Sequence, residues 1–472
     1  MIKFGTGGWR AIIGDEFTKD NIQKLSKALA NKMKEEGLQD FDMVIGYDRR
    51  FLSKEAMQWA AQVFAKEGIR TYLIYKSAPT PLIMFYVMKH KLPYGMMITA
   101  SHNPAVYNGI KVFTYGGRDA DEAQTKDIES YIDKIKNVVE DMNYEEAVNN
   151  GLITEINPFN EYIDSIIEKI DIERIKARNL RVALDPLYGV SLKPLQTILL
   201  TARCDVEILH GGHDTLFGGK LPAPTQDTVK VLQNYVLDYK FDIGIATDGD
   251  ADRVGVIDDK GRYLHPNDIL VILYYYLVKY KGWKGPAVRN IVTTHMLDKL
   301  AKSFGQECYE VPVGFKYVSS KMHETKAIIG GESSGGLMVK GHINGKDGIY
   351  AASLLVEMLA VTDKKLSEIV DEIRENYGYL YMEERDYNLA NEAQKNALYK
   401  KIIQEEQMPN FGKKIIKISH KDGCKIYFED GGWISARLSG TEPLLRIASE
   451  MPSKKEASEL CDIYQEFLEI CS

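Results

Sequence analysis

A serine and three aspartates follow two strand-like stretches of this 472-residue chain. Ser101 lies in the segment TASHNP (99–104), directly after the apolar stretch 94–99. Asp248, Asp250 and Asp252 alternate in the segment DGDADR (248–253), which follows a second strand-like stretch. A hydroxyl at one strand end and three carboxylates at another predict a phosphorylatable serine that faces a divalent metal.

The spacing of the three aspartates favours a metal site. In an extended segment, residues two apart point the same way, so these carboxylates can converge on one cation, and Gly249 lets the backbone bend. Carboxylate oxygens suit a hard ion such as Mg²⁺. A calcium-binding EF-hand is a poor alternative, because Arg253 stands where its sharp-turn glycine belongs and Asp259 where its bidentate glutamate belongs. A solvated acidic turn is the other alternative, and strict alternation after an apolar strand argues against it.

Two interpretations of Ser101 stay open on the local sequence. A serine before Asn103-Pro104 can simply form a turn. Ligands of α/β proteins, however, bind beyond the carboxyl ends of strands, which is where Ser101 stands. The GxSxG frame of a lipase-type nucleophile is missing. Because neighbours on a strand point apart, His102 is predicted to be a structural hydrogen-bond partner rather than a base acting on Ser101.

A phosphate clamp is predicted in the segment RLSGTEPLLR (437–446). Ser439 and Thr441 offer hydroxyl groups, and Gly440 lets backbone N–H groups approach a ligand. Arg437 and Arg446 bring planar guanidinium groups that match phosphate oxygens. The alternative is a surface hairpin with incidental charge.

Three weaker signals accompany this clamp. The glycine-rich segment GGESSGG (330–336) holds Glu332 and Ser334, which could hydrogen-bond sugar hydroxyls, and it lacks the lysine ending of a P-loop. Arg10 follows the flexible segment FGTGGW (4–9), and Lys316 follows Gly314-Phe315. Each cation could equally be a solvated charge on a loop.

Composition bounds the class of protein. The length exceeds one ordinary core, which predicts two to four domains. A net charge of -7 gives no general attraction to nucleic acid or to membrane surfaces. Neither a signal peptide nor a membrane-spanning run is evident, so we expect a cytoplasmic protein without nucleic-acid or membrane partners. The cysteines are odd in number and form no CxxC pair, which argues against a disulfide framework or a zinc site: Cys204, Cys308, Cys424, Cys461 and Cys471.

Alternating strand and helix patterns predict an α/β fold. In the first part, a helix is expected over 21–36 and strands over 43–47 and 71–75, with Ser53 as the N-cap of the intervening helix. Asn108-Gly109 resembles a tight hairpin turn, so an antiparallel pair of strands should follow the Ser101 loop and the first sheet should be mixed.

The module restarts twice, with strands predicted over 180–184, 206–209, 242–246, 290–294 and 327–330 and helices over 296–304 and 347–360. Beyond residue 360 the pattern becomes α+β, with a strand, a helix, three strand-like runs within 415–451 and a last helix over 454–470. We therefore predict four domains: three related α/β/α modules with mixed sheets over 1–150, 151–257 and 258–369, and a smaller α+β domain over 370–472.

Together these segments resemble the α-D-phosphohexomutase superfamily of phosphoglucomutases and phosphomannomutases. In order along the chain, the similar loops are FGTGGWR (4–10), TASHNP (99–104) with YNGIK (107–111), DGDADR (248–253), GFK (314–316), GESSG (331–335) and RLSGTEPLLR (437–446). The resemblance implies four domains around one cleft and a reaction that moves phosphate between the 1- and 6-positions of a hexose.

The resemblance also implies residue roles. Ser101 would carry the phosphate and share Mg²⁺ with the three aspartates. The implied catalytic set is Ser101, Lys111, Arg10, His102 and Arg253, in which Lys111, with a pKa lowered by burial and nearby cations, is our candidate for proton transfer. Glucose 1,6-bisphosphate would be intermediate and activator, and the assembly a monomer or homodimer. The implied substrate-binding residues are Lys316, Glu332, Ser334, Arg437, Ser439, Gly440, Thr441 and Arg446.

Two departures bear on the sugar. Gly7 stands where serine or aspartate is usual, and Gly336 replaces a histidine of many phosphomannomutase-like and phosphoglucosamine mutase relatives. This favours glucose phosphates, although His342 could substitute for that histidine. Phosphomannomutase, phosphoglucosamine mutase and phosphopentomutase remain alternatives within the superfamily. A sugar-phosphate phosphatase and a non-catalytic sensor are more remote ones.

Overall fold

The computed structural model describes residues 2–5, 7–439 and 443–470. Contacts divide the chain into two compact units. The first unit comprises Met1–Gly282 and Ser334–Ile369, and the second comprises Trp283–Ser333 and Val370–Ser472. The Ser101 and aspartate loops both belong to the first unit.

The first sheet is mixed, as the sequence predicts. Its order is β1-β5-β4-β2-β3-β7, with β6 on β5; β4, β2, β3 and β7 run parallel, and β5 is antiparallel to both β1 and β4. The strands are β1 (Trp9–Ile12), β2 (Met43–Tyr47), β3 (Thr71–Ile74), β4 (Tyr94–Ile98), β5 (Tyr107–Thr114), β6 (Arg118–Asp119) and β7 (Ile153–Ile156). The helices are α1 (Lys19–Glu35), α2 (Ser53–Lys66), α3 (Thr80–Lys89), α4 (Glu122–Lys134) and α5 (Tyr144–Asn149).

Two local predictions in this region are wrong. Asn108-Gly109 is not a turn but lies within β5, because Gly109 passes so close to its neighbours that a Cβ would stand 2.2 Å from Trp9 O and 2.9 Å from Thr99 O. Ser53 is the first residue of α2 rather than its N-cap. Its hydroxyl donates to Asp48 Oδ1 at 2.9 Å instead of capping the helix.

The second sheet has the order β12-β11-β10-β8-β9, with β10, β8 and β9 parallel and β11 antiparallel to β10. Its core is apolar, and every residue of β10 is buried. The helices are α6 (Phe159–Ile167), α7 (Ile172–Lys176), α8 (Leu192–Thr201), a 3₁₀ turn (Phe217–Gly219), α9 (Lys230–Tyr239) and α10 (Pro266–Lys279). The strands are β8 (Arg181–Asp185), β9 (Asp205–Ile208), β10 (Ile243–Thr247), β11 (Val254–Asp258) and β12 (Tyr263–Leu264).

In the second unit, β13 pairs in parallel with both β14 and β15. The predicted strand 290–294 is shifted, because β13 ends at Asn290, whose side-chain oxygen accepts from Val292 N at 3.0 Å and Thr293 Oγ1 at 2.7 Å and so turns the chain. The elements here are β13 (Ala287–Asn290), α11 (Met296–Ser303), β14 (Cys308–Val311), α12 (Phe315–Thr325) and β15 (Ile329–Gly331). The chain then returns to the first unit with β16 (Leu337–Val339) and α13 (Gly348–Thr362).

The C-terminal region is an antiparallel sheet of order β17-β21-β20-β19-β18. Four strands, rather than the predicted three, lie within 415–451, because β20 and β21 are separate strands on either side of residues 440–442. The elements are α14 (Leu366–Tyr377), β17 (Tyr381–Asn388), α15 (Glu392–Tyr399), a π-helical turn (Lys400–Gln404), β18 (Ile415–Ser419), β19 (Cys424–Phe428), β20 (Trp433–Leu438), β21 (Leu444–Met451) and α16 (Lys454–Phe467).

Two further observations concern the whole described chain. Its cysteines are unbridged, namely Cys204, Cys308, Cys424 and Cys461, and Cys471 lies outside the described residues. None of the described helices combines the length and the apolar character needed to cross a membrane.

Candidate active site

Ser101 stands on a tightly held loop after β4. Its backbone is in the left-handed region, with φ of 52°, and the residue is 1% exposed. Its Oγ donates to Asp248 Oδ2 at 2.7 Å, and its N–H donates to Thr99 Oγ1 at 2.8 Å. Because a non-glycine residue adopts this backbone conformation only when its surroundings impose it, the loop directs the hydroxyl at the aspartate.

Arg50 holds this loop from behind. Its guanidinium donates to four backbone oxygens of the loop and of the start of β5, and these are Ser101 O at 2.7 Å, Asn103 O at 2.6 Å, Pro104 O at 2.9 Å and Tyr107 O at 2.9 Å. The buried Asp48 accepts from Thr99 Oγ1 at 2.6 Å and from Arg50 N at 3.0 Å. The end of β2 therefore braces the serine loop with charged hydrogen bonds.

The three aspartates converge as predicted, but for a different reason. One ligand oxygen from each of Asp248, Asp250 and Asp252 lies within 4.8 Å of the others, and all three residues are buried. The segment is a turn rather than an extended strand, because Ala251 has φ of 63° and its N–H donates to Asp248 O at 3.0 Å. Gly249 is needed here, since a Cβ would stand 2.8 Å from Ser101 O.

Two lysines pair with this carboxylate cluster. Lys111 Nζ donates to Asp250 Oδ2 and to Asp252 Oδ2, each at 2.7 Å, and Lys346 Nζ lies 2.9 Å from Asp252 Oδ2. Burial alone would lower the pKa of Lys111, but the two carboxylates outweigh it and raise that pKa. The expectation of a lowered pKa for Lys111 is therefore wrong for this arrangement.

The cluster retains ligand atoms suited to a metal ion. Among the described residues, Asp250 Oδ1 and Asp252 Oδ1 are buried without a hydrogen-bond partner. Burial, with the neighbouring aspartates, raises the pKa of Asp248 well above its usual range. For Asp252, burial opposes ionisation, but Lys111 and Lys346 hold its pKa well below the usual range. Free carboxylate oxygens in a buried, charge-crowded group fit a hard divalent cation.

Three other predicted residues border the cluster. Arg10 donates to Asn103 Oδ1 at 2.6 Å, and burial lowers its pKa. Arg253 donates its backbone N–H to Asp248 Oδ1 at 3.0 Å. His102 Nδ1 lies 3.4 Å from Ser101 Oγ, and burial together with Arg253 and Arg10 lowers the pKa of its imidazole, which keeps the ring neutral. The structure thus brings every predicted catalytic residue to one place in the first unit.

The second unit holds most of the predicted substrate-binding residues. Glu332 is buried, and its Oε1 accepts from Asn290 Nδ2 and from Gly314 N, each at 3.0 Å. Lys316 stands at the start of α12 with its Nζ 5.1 Å from the centre of the Tyr317 ring. Ser334 is exposed and belongs to the first unit.

Arg437 and Arg446 are cross-strand neighbours on β20 and β21. Arg437 Nε donates to Asp422 Oδ1 at 2.9 Å, and Arg446 Nε lies 3.5 Å from Asp386 Oδ1. Ser439 donates its N–H to Leu444 O at 2.8 Å. Gly440 and Thr441 lie outside the described residues. Two guanidinium groups on adjacent strands suit a phosphate group.

Sequence reasoning missed Arg50, Asp48 and Lys346. Arg50 and Asp48 follow β2 in the segment YDRRFLS (47–53), and a charged pair at the carboxyl end of an apolar strand is the signal that could have found them. Lys346 lies between two glycines in NGKDG (344–348), where Gly348 passes so close to Arg253 that a Cβ would stand 2.6 Å from its backbone O.

The fold and the site define a class: a multidomain α/β protein with a buried serine beside a carboxylate cluster suited to a divalent ion. Four family models match in order along the chain. They are phosphoglucomutase/phosphomannomutase alpha/beta/alpha domain I at residues 1–139, domain II at 160–261, domain III at 265–377 and the C-terminal domain at 382–465. The chain belongs to the phosphoglucomutase/phosphomannomutase family.

Similar proteins span its whole length. A phosphoglucomutase/phosphomannomutase of Thermococcus kodakarensis is 29% identical, with 99% of this chain and 98% of that protein covered. A phosphoglucosamine/phosphogalactosamine mutase of Sulfurisphaera tokodaii is 30% identical, with 99% of each covered. The crystal structure of a protein described as a phosphomannomutase from Thermus thermophilus superposes with a TM-score of 0.86 at 26% identity and covers 99% of both chains.

These matches confirm the predicted fold class, with three α/β/α domains and a different C-terminal domain. They also show an enzyme: an isomerase of the phosphohexomutase superfamily, acting as an intramolecular phosphotransferase. The relatives are named as mutases of different sugar phosphates. The matches therefore establish the superfamily but not the sugar on which this enzyme acts.

Proposed function

We propose that this enzyme interconverts hexose 1-phosphate and hexose 6-phosphate through a phosphoserine at Ser101. One observation carries the proposal: Ser101 Oγ lies 2.7 Å from Asp248 Oδ2, within a buried group of three carboxylates. A hydroxyl there can carry a phosphoryl group next to ligands for a divalent ion. Mg²⁺ bound by Asp248, Asp250, Asp252 and Ser101 would neutralise charge on the transferring phosphoryl group.

The chain's own residues account for two transfers. In the first, the bond between phosphorus and Ser101 Oγ breaks and a bond from phosphorus to a sugar hydroxyl oxygen forms. The sugar hydroxyl loses its proton, and Ser101 Oγ gains one. The product is a hexose 1,6-bisphosphate. In the second, its other phosphate returns to Ser101, and the alternative monophosphate leaves. Free glucose 1,6-bisphosphate would therefore act as an activator by rephosphorylating Ser101.

Lys111 and Arg10 would handle charge and protons. Since its carboxylate neighbours keep Lys111 as an ammonium, it enters the reaction as a proton donor and charge-stabilising group rather than as a free amine base. Arg10, held by Asn103 on the serine loop, would stabilise the phosphoryl oxygens together with Arg253. His102, kept neutral beside Ser101, would orient the hydroxyl.

The substrate's other groups are assigned to the remaining predicted residues. The Arg437 and Arg446 pair, with Lys316, would bind the phosphate that is not being transferred. Glu332 would accept hydrogen bonds from sugar hydroxyls with the oxygen that Asn290 and Gly314 leave available. Ser334 would donate to the sugar, and Ser439, Gly440 and Thr441 would complete the phosphate loop.

Glucose phosphates are the proposed preferred substrates. Gly336 leaves room for Lys346, because a Cβ at 336 would stand 2.3 Å from Lys346 Cδ. A histidine at that position would displace the lysine that pairs with Asp252. His342 does not take its place, because its Nε2 lies 2.8 Å from Asp347 Oδ2 and its ring packs against Tyr350 at 4.7 Å.

The test compares 1-phosphates of glucose, mannose, glucosamine and ribose under identical conditions, with Mg²⁺ and catalytic glucose 1,6-bisphosphate. We expect glucose 6-phosphate to form fastest, without release of inorganic phosphate. Dominant turnover of glucosamine 1-phosphate would overturn the sugar preference. Release of phosphate in place of isomerisation would make the protein a phosphatase.

Ser101→Ala tests the nucleophile. The variant should lose turnover by roughly 10³-fold or more and lose the phosphoserine signal in ³¹P NMR, because both proposed transfers pass through Ser101 Oγ. Retained mutase activity would remove the basis of the proposal.

A further inference from the structure

A cavity of 490 Å³ lies in the first unit beside the catalytic site, and no catalytic residue lines it. It opens at the carboxyl ends of β2 and β3, where residues 47–52, 54–55 and 76–77 form one wall. Phe159 and residues from 190–193 and 213–215 form the other wall. The volume is that of a small-molecule site, and the carboxyl edge of a parallel sheet is where such sites occur in α/β folds.

The lining is strongly basic. Arg49, Lys54, Lys76 and Lys193 contribute cationic side chains. The lining includes two acids, Asp48 and Glu55. Asp48 is buried and already accepts hydrogen bonds from Ser53, Thr99 and Arg50, so Glu55 is the one acid of the lining that offsets these cations. In a chain whose net charge is -7, this local excess of positive charge is not a property of the whole surface.

Three of these cations are available to a ligand. Within the described ranges, no carboxylate pairs with Lys54, Lys76 or Lys193. Lys76 and Lys193 lie only over the rings of Tyr75 and Phe159, at 4.7 Å and 5.4 Å from the ring centres.

Two lysines elsewhere on the same domain offer a contrast, because they are paired with a carboxylate. Lys27 and Lys34 share Glu67 at 2.5 Å and 2.6 Å. Lysines that surround a cavity without carboxylate partners indicate an anionic ligand. Lysines that are paired with carboxylates indicate a network of surface salt bridges.

The start of α2 adds donors to the same cavity. Its N-cap position is Leu52, in the left-handed region with φ of 63°, and no side chain caps the helix. Leu52, Lys54 and Glu55 of this first turn line the cavity. An uncapped N-terminus presents N–H groups and the positive end of the helix dipole, which favours an anion.

The cavity is also preformed. Arg49 Nη1 donates to three backbone oxygens of the opposite wall region, namely Tyr188 O at 3.2 Å, Gly211 O at 3.2 Å and Gly212 O at 3.0 Å. These bonds tie the two walls together. A rigid site binds a ligand without an ordering cost.

We propose that this cavity is a second binding site for a phosphate-bearing small molecule, distinct from the catalytic site. The ammonium groups of Lys54, Lys76 and Lys193 bind the phosphate oxygens. Backbone N–H groups of the first turn of α2 donate hydrogen bonds to the same oxygens. Phe51 and Tyr47 offer apolar surface to the remainder of the ligand.

Reductive labelling with pyridoxal 5′-phosphate tests the site residue by residue. Its aldehyde condenses with lysines that stand near a bound phosphate, borohydride fixes the adduct, and peptide mass spectrometry identifies the lysine. We expect Lys54, Lys76 or Lys193 to be labelled in preference to Lys91, an exposed lysine of the same domain outside the cavity. Inorganic pyrophosphate at ten times its dissociation constant should lower that labelling about tenfold.

Parallel protection by glucose 1,6-bisphosphate and by ADP distinguishes a sugar phosphate from a nucleotide as the source of the phosphate. The double variant Lys54→Gln/Lys193→Gln should abolish protection of Lys76, and Lys91→Gln should leave it unchanged. Three outcomes would each overturn the proposed site. The cavity lysines could be labelled no more than Lys91, none of the three anions could protect them, or Lys76 could stay fully protected in the double variant. Since the readout is a modified peptide, it is independent of turnover.

Discussion

Two lysines, one in each unit, are almost completely buried and yet differ in charge. Lys111 is 4% exposed and Lys425 is 1% exposed. Lys111 has two carboxylates as hydrogen-bond partners, and its pKa is raised. Burial and the neighbouring Arg289 lower the pKa of Lys425 to about 7. Equal burial thus gives opposite shifts.

The partners of Lys425 explain the difference. Its Nζ donates to Glu310 Oε2 at 3.0 Å, but Arg289 Nη1 donates to the same oxygen at 2.7 Å. The other contacts of Lys425 are neutral, and they include Ile291 O and the Trp433 ring at 4.1 Å from Nζ. Glu310, which is shared with Arg289, and the nearby Glu450 raise the pKa of Lys425, but they do not offset the cost of burying this second cation.

The comparison separates a catalytic environment from a structural one. In the first unit, an excess of carboxylates keeps Lys111 charged and leaves oxygens for a metal ion. In the second unit, burial and Arg289 outweigh Glu310 and Glu450, and the pKa of Lys425 falls to about 7. The charge of a buried lysine is therefore set by the balance between burial and its ionised neighbours, and the following substitutions test that statement.

Among the substitutions that test this comparison, Lys111→Met should have the largest effect on turnover. It removes the ammonium while keeping the length of the side chain, and we expect kcat to fall roughly 10²–10⁴-fold. Lys425→Met is the matched control, an equally buried lysine outside the proposed machinery, and should keep kcat. Equal losses in both variants would mean that Lys111 acts only through folding, and no loss in Lys111→Met would end its proposed role.

The stability of Lys111→Met should depend on Mg²⁺. Without metal, the change leaves Asp250 and Asp252 without their shared ammonium, which costs roughly 3–5 kcal/mol of unfolding free energy for a broken buried pair. Added Mg²⁺ should recover part of that loss, measured as a rise in Tm. Asp250→Asn should show a smaller rise with Mg²⁺ than the parent protein. An unchanged rise would place the ion away from these carboxylates.

Arg50→Lys tests the brace behind the serine loop. A lysine cannot reproduce four hydrogen bonds that a planar guanidinium donates in fixed directions. Misplacement of Ser101 should lower kcat by roughly 10- to 100-fold while KM for the sugar phosphate changes little. Arg70→Lys, an exposed arginine paired with Asp42, is the control. A raised KM with an unchanged kcat would show that Arg50 acts on substrate binding instead.

Much of this arrangement could be predicted from the sequence. Apolar strands that end in Ser101 or in the three aspartates predicted the α/β class and the joint position of the two loops, because strand ends gather at one edge of a sheet. Local turn chemistry was less reliable. Asn108-Gly109 has hairpin composition but lies within β5, since tertiary packing against Trp9 and Thr99 decides the conformation there.

Long-range partners could not be predicted at all. The shift in the pKa of Lys111 depends on Asp250 and Asp252, which follow it by 139 and 141 residues along the chain. Arg50 meets the oxygens of the serine loop 51 to 57 residues on. Sequence spacing predicted which residue types could do chemistry, and the topology determined which charges surround them.

Lys425→Met should have the smallest effect, which is confined to the pH dependence of stability. The unfolded lysine titrates near its ordinary value of 10.5, whereas the folded one titrates at about 7. Between these values the unfolded state binds more protons, so the parent protein gains stability as pH rises from 7 to 9. The methionine of the variant has no titratable proton, so the variant does not gain stability in this way as the pH rises.

Hydrogen exchange of β19 and β20 amides in the full-length chain measures the effect. The ratio of protection in the parent protein to protection in Lys425→Met should rise by up to roughly tenfold per pH unit over that range, which is the contribution of one proton. Lys417→Met, an exposed lysine of the neighbouring strand β18, should leave the pH dependence unchanged. A ratio that stays flat would show that Lys425 keeps its ordinary charge. The contrast with Lys111 would then disappear, because Glu310 and Glu450 would suffice to hold a buried ammonium beside Arg289.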